Sequence, residues 1–73
     1  MKTLYWDFYG GAGPGKAEHF RKHLDEFLAR EKIDGCTTGF EPDPSGRKGT
    51  AWCKAPDDAV EKLKAALRPQ RIV

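Results

Sequence analysis

Apolar and polar residues alternate from Lys2 to Tyr9, with Leu4, Trp6 and Phe8 on one side and Thr3, Tyr5, Asp7 and Tyr9 on the other. This aromatic-rich, period-two pattern predicts a first strand. Residues 10–15 break it with glycines, and Pro14 suits the first helical position, where an N–H would have had no partner. From residue 16 to about residue 32, Ala17, Phe20, Leu24, Phe27 and Leu28 recur at helical spacing, with Glu18, Arg21, Lys22, Asp25 and Glu26 between them, so an amphipathic helix is predicted that Gly35 stops. Residues 36–42 and 47–55 read as two strands of a hairpin whose loop is Asp43, Pro44, Ser45 and Gly46. In that register Pro42 faces Arg47, Glu41 faces Lys48, and Cys36 faces Cys53. Cys36, Thr38, Phe40, Ala51 and Cys53 then share the core side; Thr37, Glu41, Lys48, Thr50, Trp52 and Lys54 share the other. Pro56, Asp57 and Asp58 open a second helix, carried by Val60, Leu63 and Leu67 and halted by Pro69. Residues 70–73 are expected to form a short fourth strand.

Strand, helix, hairpin, helix, strand is the split βαβ, or ferredoxin-like, order. It predicts a single α+β domain over residues 1–73: a βαββαβ two-layer sandwich whose antiparallel sheet runs 4-1-3-2, with two helices on one face. The opposite face, carrying Tyr5, Tyr9 and Trp52, is then open. Seventy-three residues suffice for one core. The net charge of +2 permits contact with nucleic acid without declaring it. Neither a signal-peptide h-region nor a membrane-length apolar run is present, so a cytoplasmic protein with no membrane partner is expected. Two cysteines without C-x-x-C spacing point to buried, reduced thiols facing the helices, with one cross-strand disulfide as the alternative.

Three segments carry candidate chemistry. GGAGPGKA, residues 10–17, approaches the phosphate-loop pattern between a strand and a helix but has Ala17 where a hydroxyl would bind Mg²⁺. Weak anion binding by Gly13, Gly15 and Lys16 is the expectation, without nucleotide hydrolysis. His19 and His23, with Glu26 one turn on, could share a metal, yet three ligands on one exposed helix make a poor closed site, so no metal and no other cofactor is expected. Ser45 has no histidine near it in sequence and the chain contains no Asn. Acylphosphatases share the element order but need an arginine in the loop after strand one and a catalytic asparagine. A non-catalytic protein is therefore expected.

Residues 43–67, DPSGRKGTAWCKAPDDAVEKLKAAL, resemble the turn, third strand and second helix of an RNA recognition motif domain. Lys48, Gly49, Ala51 and, as an aromatic variant, Trp52 fit that family's octapeptide. Thr50 and Ala55 stand where it has aromatics, and Cys53 where it has an aliphatic residue. Thr3-Leu4-Tyr5-Trp6 is similar to its shorter motif, with Tyr5 at a stacking position. The resemblance implies that Tyr5 and Trp52 stack bases of single-stranded RNA or DNA while Lys48 and Lys54 meet phosphates, with Tyr9 and Thr50 on the same surface. The alternative is a protein-interaction or homodimerisation face built on the same aromatics.

Overall fold

The alternating N-terminal stretch becomes an inner strand of the sheet, since its apolar side needs neighbours on both edges and helices above it. The computed structural model describes the chain from Met1 to Val73. Its elements are β1 (Lys2–Tyr9), α1 (Gly13–Arg30), β2 (Thr37–Pro42), β3 (Lys48–Ala55), α2 (Asp57–Leu67) and β4 (Arg71–Ile72). All pairings are antiparallel, and the four strands lie in the order β2-β3-β1-β4. The expected alternation holds: Leu4, Trp6, Ala51, Cys53 and Ala55 form one buried cluster with Leu24 and Leu28 of α1 and Ala59, Val60 and Leu63 of α2. Both helices thus cover the same face. Leu4, Leu24 and Leu63 are almost wholly withdrawn from water, each contributing about 1.5–3 kcal/mol through burial.

The hairpin register differs from expectation by two residues. Thr38, not Cys36, pairs with Cys53, Glu41 pairs with Thr50, and Pro42 with Gly49. Two local features set this. Asp43 belongs to the ladder, its N–H donating to the Lys48 carbonyl at 2.8 Å, while its own carbonyl accepts from Gly46 N–H at 2.9 Å, so the loop is Pro44, Ser45, Gly46 and Arg47. Gly46 sits at φ +73°, a conformation glycine adopts without strain. The second is steric. Trp52 pairs with Gly39, and a Cβ on Gly39 would stand 2.6 Å from the indole Cε2; the observed register gives the indole a residue with no side chain to lie over. A shift of two leaves every side chain on its expected face. Both cysteines still face the helices and are free, Cys53 buried and Cys36 partly so.

Helix α1 ends at Arg30, short of residue 32. Lys32 turns left-handed at φ +55°, its N–H donating to Ala29 O at 3.3 Å and that of Ile33 to Leu28 O at 2.9 Å, the paired bonds of a Schellman stop. Helix α2 ends on left-handed Arg68, just before Pro69. One of its last carbonyls is satisfied from the core: the Trp6 indole N–H donates to Leu67 O at 2.9 Å.

Candidate binding face

Alternation in β1, β3 and β4 delivers one row of residues across the uncovered face. Gly39, Trp52, Tyr5 and Arg71 are successive cross-strand partners. Trp52 and Tyr5 are both partly exposed, and the Arg71 guanidinium lies 4.6 Å from the Tyr5 ring centroid. Thr3, Tyr5, Glu41, Trp52 and Lys54 line a shallow hollow of about 220 Å³. Toward the other end Tyr9 pairs with Lys48. Tyr9 is 69% exposed, with the ammonium 5.4 Å from its ring centroid.

Between these rows lies the buried carboxylate of Asp7, its side chain only 6% exposed. It accepts from Thr50 Oγ1 at 2.8 Å and from an Arg71 nitrogen at 3.0 Å, with Lys48 Nζ 3.7 Å away. Its backbone N–H donates to Gln70 Oε1 at 2.9 Å. Burial alone would raise the Asp7 pKa; the hydrogen bonds from Thr50 and Arg71, then the charges of Arg71 and Lys48, outweigh it and hold the carboxyl below its ordinary value. Asp7 therefore stays ionised inside the face, with two cations set against it.

All six expected face residues, Tyr5, Tyr9, Lys48, Thr50, Trp52 and Lys54, belong to strands whose alternation turns them away from the helices. Sequence reasoning missed Arg71 and Gln70. The alternation of Arg71 and Ile72 was a usable signal, since Ile72 joins the core and pairs with Leu4.

The glycine loop has a packing role. A Cβ on Gly49 would stand 2.6 Å from Gly13 O and 2.7 Å from Pro14 Cα, so the start of α1 touches the β3 backbone at two glycines. The Gly13 N–H donates to Gly10 O at 2.9 Å and that of Lys16 to Ala12 O at 2.9 Å. Gly15 and Lys16 instead line a second hollow, of about 580 Å³, together with Phe8, Phe20, His19 and His23. The two imidazoles meet Nε2 to Nε2 at 2.8 Å, and no group of three or more His, Cys, Asp or Glu side chains is arranged to hold a metal ion. No helix is long and apolar enough to cross a membrane. Comparison with protein-family models, curated proteins and solved structures finds no match to the chain.

Proposed function

We propose that this chain is a non-catalytic binding domain of ferredoxin-like, RNA-recognition-motif-like design that lays single-stranded nucleic acid across its uncovered sheet face. The observation that carries the reading is the directly paired Tyr5 and Trp52 on that face. An aromatic pair backed by a rigid sheet offers π-faces to successive bases. Lys54 beside the hollow and Lys48 beside Tyr9 stand where a phosphate backbone would pass. The carboxylate of Asp7, which would repel a polyanion, is answered by Lys48 and Arg71.

A protein partner, including a second copy of the chain, is the second reading. It is favoured by the guanidinium already resting on Tyr5 and by the near balance of Lys48, Lys54 and Arg71 against Asp7 and Glu41 on this face. Binding of a mixed oligonucleotide pool by fluorescence anisotropy at two salt concentrations, with solution mass measured in parallel, separates the two. Trp52→Ala is expected to weaken oligonucleotide binding about ten- to a hundredfold with the fold intact. Unchanged oligonucleotide binding with conversion of a dimer to a monomer would replace the first reading by the second.

A further inference from the structure

The larger hollow lies away from the open sheet face and gathers residues that the proposed function leaves unused. Its floor is aromatic: Phe20 of α1 packs 5.6 Å from Phe8 and 5.0 Å from Trp6, centroid to centroid. At about 580 Å³ it falls within the size range of pockets for small organic ligands. Its charged and polar side chains are Lys16, His19 and His23, and no carboxylate lines it. These side chains come together because residues 16, 19, 20 and 23 share one face of a helix. The lysine and the histidine pair, separate features in the sequence, thus become one polar rim with a single ammonium above an apolar floor.

We propose that this hollow binds a small organic carboxylate with an aromatic or aliphatic body. The apolar body lies against Phe8 and Phe20, where it removes apolar surface from water on both sides. The carboxylate sits at the rim, where the Lys16 ammonium donates charge-assisted hydrogen bonds and the imidazole pair, with one N–H spent on the Nε2–Nε2 hydrogen bond, keeps a ring N–H to offer. The absence of any lining carboxylate gives the site its sign: an ammonium of the same shape would meet the Lys16 cation with no anion to offset it. A mostly apolar floor with a single permanent cation suits one negative charge better than a multiply charged phosphate ester, whose hydration the site could not replace.

The test is titration of the intact chain with 2-naphthoate, followed through backbone amide NMR shifts with EDTA present so that no metal occupies the imidazole pair. The neutral 2-naphthalenemethanol serves as control. Saturable shifts centred on Phe8, Lys16 and His19 are expected, with the alcohol binding at least about tenfold more weakly and Lys16→Gln losing about tenfold toward the naphthoate, as follows from losing a hydrogen bond to a charged group. Gly15→Leu should abolish binding: a Cβ at Gly15 meets nothing within 4 Å, so the fold tolerates a side chain that fills the hollow. Trp52→Ala should leave naphthoate binding unchanged, which keeps this site distinct from the sheet face. Failure to saturate at millimolar ligand, equal binding of acid and alcohol, full retention of affinity in Gly15→Leu, or shifts centred on Tyr5 and Trp52 would each overturn the proposal.

Discussion

Replacing Asp7 by Asn should weaken the fold and strengthen nucleic-acid binding at once. Asparagine keeps an oxygen that accepts from Thr50 Oγ1, which lies 2.8 Å from the carboxylate in the native protein. It loses the charge that attracts Arg71 at 3.0 Å and Lys48 at 3.7 Å. A hydrogen bond to a charged group contributes about 1.5–3 kcal/mol. The Arg71 and Lys48 side chains are 50% and 35% exposed, so both recover part of their hydration, and a buried carboxylate no longer has to be desolvated. The net loss should therefore lie at the lower end, about 1–2 kcal/mol, lowering Tm by about 4–8 °C per kcal/mol for a small domain. The pH dependence follows from the direction of the shift. Asp7 is held below its ordinary value of 3.8 in the folded protein, so its contribution is present above the unfolded value and disappears as pH falls through the lower, folded value. Urea denaturation of both proteins from pH 7 down to pH 2 should show a gap at neutral pH that closes at the acid end. In oligonucleotide binding the sign reverses, because Lys48 and Arg71 become available to phosphates. The slope of log K against log salt should steepen by about 0.7 for each further phosphate that these cations neutralise. Equal stability at pH 7, or a gap that persists at the lowest pH, would refute the account of Asp7 as an ionised, cation-held group; weaker oligonucleotide binding would refute its electrostatic role on the face.

Other substitutions test the packing beneath that face. Gly39→Val places a branched side chain where the Trp52 indole lies, and the overpacking should cost about 1–3 kcal/mol in urea denaturation while shifting the tryptophan fluorescence; an unchanged midpoint would mean that the indole does not need the glycine. For the thiols, burial raises the pKa of both, that of Cys53 to about 12, so iodoacetamide followed by mass spectrometry should label Cys36 first and Cys53 only on unfolding. Simultaneous labelling of the native protein would contradict the burial of Cys53. Trp6→Phe keeps the aromatic packing but removes the N–H that meets Leu67 O, and about 1 kcal/mol should be lost, with amide exchange accelerating at the end of α2.

Which side chains face which way was legible because alternation and helical spacing are properties of neighbouring residues. Leu4, Trp6, Ala51 and Cys53 all went to the core on that basis. What lies opposite what is a different matter, and the hairpin shows why. A register error of two residues moves Cys36 from opposite Cys53 to a diagonal position while leaving the hydrophobic pattern untouched, so patterning cannot detect it. The information was present in another form: a tryptophan and a glycine on facing strands, Trp52 and Gly39, are complementary in volume, and an aspartate before Pro44 with Gly46 beyond it prescribes the turn.

The helix stop at Lys32 escaped notice because a left-handed lysine has no compositional mark; only the bonds from Lys32 and Ile33 back to Ala29 and Leu28 reveal it. The remainder depends on distance along the chain. Asp7 meets Thr50 and Arg71 across sequence separations of 43 and 64 residues, and no local pattern brings those three together. Lys48 of β3 lies 3.7 Å from Asp7, and Arg71 of the last strand, at 3.0 Å, is the closer of the two cations. The same holds for the larger hollow, where helix periodicity aligned Lys16, His19, Phe20 and His23 but only the packing of α1 over the end of β1 supplied Phe8. A feature assembled within one element could be read in advance, whereas one assembled between elements needed the fold, and both surfaces argued to bind ligands are of the second kind.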